Sequence, residues 1–147
     1  MFIRPVEESD RESWERMRGA LWPSPAREHG GEIDRYFVGK VREPLEVLIA
    51  FDEHGRAIGL IELSIRAYAE GCDTDRVAFV EGWYVDPNAR GKGVGAALIG
   101  AAEVWARSQG CTELGSDAEV ENISSAAAHR AVGFIETGIV RCFKKSL

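Results

Sequence analysis

Three glycines at alternate positions, Gly91, Gly93 and Gly95, separate an apolar run ending at Val85 from an alanine-rich run opening at Ala96. The first run is strand-like and the second helical, so the segment reads as strand, loop, helix. A loop without side chains lets backbone N–H groups converge, and the helix start adds partial positive charge, which suits an anion. Arg90 and Lys92 add cations that pair with phosphate, and a pyrophosphate is the expected guest. The spacing lacks G-x-x-x-x-G-K-[ST], which excludes a Walker loop. It also falls one step short of G-x-G-x-x-G, and no initial strand–helix unit places it as a dinucleotide fingerprint. Glycines so spaced also serve simply to ease a turn, so the surrounding chain has to decide.

"FIRPV" reads as a first strand, and "SDRESWERMRGALW" as an amphipathic helix carrying Trp14, Met17 and Leu21 behind a Ser9–Glu12 capping box. "EIDRYFVGKV" reads as a second helix, with Ile33, Phe37 and Val41 in register. "LEVLIAFDEHGRAIGLIELSIR" is a hairpin turning at Glu53-His54-Gly55. "VAFVEGWYV" is a strand too apolar for an exposed edge. "AALIGAAEVWARSQ" is a helix stopped by Gly110, "CTELGSDA" a strand, and "NISSAAAHRAV" a helix stopped by Gly133. "FIETGIVRCFKK" is expected to supply one or two last strands, with a bend at Gly138. The order predicts a single α+β domain over 1–147. Its central sheet is mixed and mostly antiparallel, flanked by helices, with a parallel crossover from the strand ending at Val85 to one at 112–117.

A net charge of −6, from 18 basic and 24 acidic residues, disfavours nucleic acid as a partner. It suits a cationic substrate, or solubility alone. Cys72, Cys111 and Cys142 form no C-x-x-C, and His29, His54 and His129 show no ligand spacing, so neither a disulfide framework nor a metal site is expected. No stretch approaches a membrane span, and "MFIRPVEESD" has no apolar signal core, so a soluble, cytoplasmic protein is expected.

Arg90-x-x-Gly93-x-Gly95, directly after "YVDP", resembles the [Q/R]-x-x-G-x-[G/A] coenzyme A loop of the GNAT acetyltransferase superfamily. Asn122, Ser125, His129 and Gly133-Phe134 match that family's N-x-x-[A/S]-x-x-x-Y-x-x-x-G-F, with His129 where tyrosine is usual. The resemblance implies the GNAT fold and acetyl-CoA as cosubstrate. It implies that Arg90, Gly91, Lys92, Gly93, Val94 and Gly95 hold the pyrophosphate. The backbone of Trp83, Tyr84 and Val85 would then pair with the pantetheine arm like an added strand, and Asn122 would contact the same arm. His129 has two readings: a proton donor to the departing thiolate, or a satisfied interior imidazole.

"ALW" at 20–22, "LSIRAYAEGCD" at 63–73, "VAFVEGWYV" at 77–85 and "GSDAEVENISSAAAHRAVGF" at 115–134 resemble one branch of aminoglycoside 6′-N-acetyltransferases. That resemblance implies an acceptor pocket lined by Trp22, Tyr68, Glu81 and Asp117. Glu136 is the first acid of the branch's E-T-E run, whose second acid is Gly138 here. Carboxylates and aromatic faces suit a polycationic sugar. Acetyl transfer needs a neutral amine, so Asp117 is the first candidate for general base and Glu81 the second. Each also has a structural reading: Trp22 as a core anchor, Glu81 as an ion-pair partner of Arg66 or Arg141, and Asp117 as a helix cap. Another amine acceptor, or a module that only binds acetyl-CoA or the drug, remains as an alternative. Members of the family often dimerise, sometimes by exchanging a C-terminal strand, so a homodimer is expected.

Overall fold

The β-rich runs pair into one five-stranded sheet in sequence order: β1 (Phe2–Pro5), β2 (Glu46–Phe51), β3 (Ala57–Arg66), β4 (Val77–Val85) and β5 (Leu114–Ser116). A computed structural model describes residues 1–25 and 27–147. β1 to β4 pair antiparallel, and β5 joins β4 in parallel. The expected crossover runs through α3 (Val94–Ser108), while α1 (Arg11–Leu21), α2 (His29–Phe37) and α4 (Ile123–Ala131) complete the helices.

Alternation along β2 divides the core. Leu48 and Ala50 turn to the α3 side, with Ile61, Leu63, Val80, Leu98, Ile99 and Ala102. Val47 and Ile49 turn to the other side, where Trp14 and Met17 of α1 and Ile33 of α2 cover them. The sheet is therefore buried on both faces, which is why β3 and the first half of β4 read as nearly unbroken apolar runs.

Three expectations change. No Ser9–Glu12 box opens α1: a 3-10 turn at Glu8–Asp10 precedes it, and Asp10 accepts the Glu7 N–H at 2.8 Å while Arg4 of β1 grips the same carboxylate at 2.6 and 3.0 Å. The second helix begins at His29 rather than Glu32 and ends before Val41. Gly30 and Gly31 weaken its start by propensity, but Gly30 lets it approach α1, since a Cβ there would meet Glu15 Oε1 at 3.2 Å. The chain after Gly133 forms no strand. Ile135, Ile139, Val140 and Phe143 are 60–87% exposed, because no edge of the chain's own sheet pairs with them.

Candidate functional site

The site begins at an irregularity in β4. Glu62 stands opposite Gly82 and Leu63 opposite Val80, so Glu81 has no partner on β3. This is a β-bulge: one extra residue, which places Glu81 and Gly82 on the same face instead of alternate ones. Both turn toward α1. Glu81 reaches Ser64 at 2.9 Å, and the indole of Trp22, the residue that closes α1, lies over Gly82 so tightly that a Cβ there would meet it at 2.8 Å. The bulge thus brings two acceptor candidates, Glu81 and Trp22, side by side.

The pairing of β4 with β5 runs only from Ala78↔Leu114 to Val80↔Ser116. From Glu81 to Val85 that flank of β4 has no rung to β5, and a gap opens between the strands. Its main chain at Trp83, Tyr84 and Val85 is therefore left without a β5 partner on that side. Asp117 is the first residue past β5, exposed at the mouth of the same gap.

Beyond Val85 the glycines act for different reasons. Gly91 and Gly93 take φ of +74° and +85°, in the left-handed region, and a Cβ on either would meet nothing within 4 Å. Gly95 lies in the first turn of α3 against the Trp83 ring, where a Cβ would sit 3.2 Å from it. Gly93 caps α3 without any side-chain hydrogen bond, so the first-turn amides of Val94, Gly95 and Ala96 are left to an outside acceptor. An uncapped helix start with open space before it fits a diphosphate. Arg90 donates to the Val85 carbonyl at 2.8 Å, which folds the loop back onto β4; Lys92 is exposed beside it.

His129 is held on every side. Its Nδ1–H donates to the Ser125 carbonyl at 2.7 Å, which leaves Nε2 to accept from the Ser116 hydroxyl at 2.7 Å. The ring packs edge-on against Trp83 at 5.2 Å and Phe134 at 5.1 Å, tying α4 to both sides of the gap. Asn122 accepts the Ser125 N–H at 3.1 Å and caps α4.

Glu81 bears out the Arg66 reading: the guanidinium donates to Oε1 at 2.9 and 2.6 Å and to Oε2 at 2.7 Å. Arg66 also lies 3.7 Å over the Phe79 ring. The remaining candidates lie further apart. Tyr68 stands exposed on the loop after β3, and neighbouring Glu70 raises its hydroxyl pKa. Glu136 pairs with Arg130 of α4 at 2.7 Å, on an exposed surface. Thr137 lies against Gly71, in the same loop as Tyr68, and donates to the Glu70 carbonyl at 3.3 Å.

Sequence reasoning missed the charges beneath this surface. Glu62 and Arg18 are 1% and 3% exposed. Glu62 accepts from Arg18 Nε and Trp14 Nε1, both at 2.9 Å. Burial pushes the Glu62 carboxyl up, against the pull of Arg18 and Trp14. Arg18 also pairs with Glu32 of α2, which accepts from Arg27 at 3.1 Å. Burial would raise Glu32, but Arg27 and Arg18 outweigh it and hold the carboxyl below its usual range. The available signal was a lone acid inside "LIELSI", a charge in an interior strand that needs a partner.

The profile of the acetyltransferase (GNAT) family matches residues 8–134. The chain belongs to this family. It is 53% identical over 146 residues to an aminoglycoside N(6′)-acetyltransferase type 1 of Klebsiella aerogenes, covering 99% of this chain and 96% of the relative. Its fold superposes with a TM-score of 0.89 on AAC(6′)-Ih, an aminoglycoside antibiotic 6′-N-acetyltransferase of Acinetobacter baumannii, at 37% identity over 99% and 98% of the two chains. AAC(6′)-Iy, solved with the bisubstrate analogue CoA-S-monomethyl-acetylneamine, matches with a TM-score of 0.88 at 35% identity over 99% and 98%. The GNAT fold expected from the two motifs is therefore the fold of this chain.

Proposed function

We infer that this GNAT protein transfers the acetyl group of acetyl-CoA to the 6′-amine of an aminoglycoside. The observation that carries the reading is the bulge at Glu81. It sets a carboxylate and an indole side by side on the α1 face, next to the gap that leads to the uncapped start of α3. Whole-chain likeness to enzymes bearing that name supports the same acceptor.

In this reading acetyl-CoA supplies an activated thioester. The first turn of α3, with Arg90, Gly91, Lys92, Gly93, Val94 and Gly95, holds the diphosphate. The main chain of Trp83, Tyr84 and Val85 aligns the arm, with Asn122 on its other side. Trp22, Tyr68 and Glu136 border the acceptor. Glu81, its charge already paired by Arg66, orients the amine more than it takes protons. Asp117 is exposed and serves as the base, directly or through water. An alkyl amine of lysine-like pKa, about 10, is mostly protonated at neutral pH, so removal of that proton precedes attack. The C–N bond forms as the thioester C–S bond breaks. A main-chain N–H on the open β4 flank steadies the oxyanion. Thiols ionise at about 8.5, so the leaving group needs little help, and His129 serves mainly to hold the gap.

A coupled thiol-release assay over a drug panel tests this. Release with drugs carrying a 6′-amine and none with drugs lacking it is the expected pattern. Release with spermidine or peptides instead would assign another amine, and tight binding without release would make the protein a sequestering module. Asp117→Asn should lower kcat by about 10²–10⁴ with little change in acetyl-CoA KM. An unchanged kcat removes Asp117 from the chemistry.

A cytoplasmic homodimer completes the proposal. The exposed apolar residues from Ile135 to Phe143 are the surface a partner would cover. Sedimentation of the full chain and of one ending at Phe134 distinguishes a dimer built on this segment from a monomer.

A further inference from the structure

The wall formed by Trp22 is held by a device outside the acceptor site. Two guanidinium groups lie over its ring, Arg27 at 4.2 Å and Arg18 at 5.2 Å from the centroid. One carboxylate, Glu32 of α2, binds both. Arg18 is anchored again by buried Glu62, which stands opposite Gly82, the residue Trp22 covers. α1, α2 and β3 thus converge on one indole.

We propose that Arg27 and Glu32 are positioning residues that fix the Trp22 indole over Gly82 and so set the affinity for the cationic acceptor. The inference rests on the reading of Trp22 as an acceptor wall. Two cations beside a site for a polycation oppose binding by charge alone. Their placement makes sense if they hold the ring, with Glu32 and Glu62 together balancing their charge. Arg27 suits this role because its flat guanidinium stacks on indole while its edge donates to Glu32, which a lysine ammonium does not reproduce.

The sign of one effect separates positioning from simple charge. Removing a cation beside a cationic acceptor should by charge alone lower its KM; loss of positioning raises it. The test measures steady-state kinetics with kanamycin and acetyl-CoA for Trp22→Ala, Arg27→Met, Arg27→Lys, Glu32→Gln and the Trp22→Ala/Arg27→Met pair. Trp22→Ala should raise kanamycin KM about 10-fold, the equivalent of one lost aromatic contact. Arg27→Met and Glu32→Gln should each raise it about 3- to 10-fold with acetyl-CoA KM unchanged. Arg27→Lys should recover little, and Arg27→Met should add nothing once Trp22 is gone.

A lower KM for Arg27→Met, or an equal effect of that change with and without Trp22, overturns the positioning role and leaves the Trp22 reading intact. A rise in acetyl-CoA KM together with a loss of melting temperature in Arg27→Met and Glu32→Gln also overturns it, by showing a general structural role. An unchanged kanamycin KM in Trp22→Ala removes the acceptor-wall reading itself, and the inference with it.

Discussion

Gly82 lies directly beneath Trp22, so close that a Cβ at position 82 would sit 2.8 Å from Cη2 and 3.0 Å from Cζ2 of the indole. A glycine inside a strand weakens it; here it lets the edge of an aromatic ring come close to the main chain beside the bulge. Gly82→Ala should fold, because its φ is not left-handed, while costing about 1–3 kcal/mol and displacing the indole. The acceptor KM should rise several-fold and the acetyl-CoA KM should not. Unchanged kinetics for both substrates would mean that the ring's position does not matter.

The glycine loop makes a second, separable prediction. Gly93→Ala imposes a φ of +85° on a residue with a side chain, at a cost of about 1–2 kcal/mol, although the new methyl would touch nothing. Relaxation of the loop should raise the acetyl-CoA KM. Gly100→Ala, an exposed position within α3 that is also open to added atoms, should instead stabilise the fold by up to about 1 kcal/mol and leave kinetics unchanged. Equal behaviour of the two variants would show that the left-handed turn carries no function.

The buried pair makes a stability prediction. Arg18→Met leaves Glu62 with Trp14 as its one remaining side-chain partner and should cost about 3–5 kcal/mol. Arg18→Met combined with Glu62→Leu removes both charges and should recover most of that loss in urea unfolding. No recovery in the double variant would mean that neither desolvation nor the stranded charge explains the pair.

A pH prediction follows from Glu113. It accepts from the Thr74 hydroxyl at 2.7 Å, the Thr74 N–H at 2.8 Å and the Asp73 N–H at 3.0 Å, fastening the loop that bears Tyr68 to the chain before β5. The Thr74 hydroxyl, then the two amides, hold its carboxyl below the ordinary value of 4.5. A depressed carboxyl stabilises the fold fully above its unfolded pKa, and this is lost as pH falls through the lower folded value. Amide exchange at Asp73 and Thr74 should be slow at pH 7 and quicken, relative to core amides, below about pH 4.5. Glu113→Gln should lose most of the protection at pH 7 and flatten the pH dependence. Equal protection in both proteins would remove the latch.

The sequence alone was enough for every strand that pairs within the chain, the parallel crossover, and the glycine turn that opens α3, because periodicity and glycine spacing are local. It also raised Arg66 as a partner for Glu81, from the cost of an unpaired charge in an apolar strand. It did not reveal that Glu81 is the extra residue of a bulge. That depends on which residue of β3 stands opposite Val80 and which opposite Gly82, a register that local patterning does not encode. Nor did it show that Arg18, Glu62 and Glu32 meet, since three separate elements supply them and Glu62 lies far along the chain from the other two. The same limit explains the last segment: "FIETGIVRCFKK" has the composition of a strand, but a strand needs an edge to pair with, and only the tertiary structure decides whether one lies within reach.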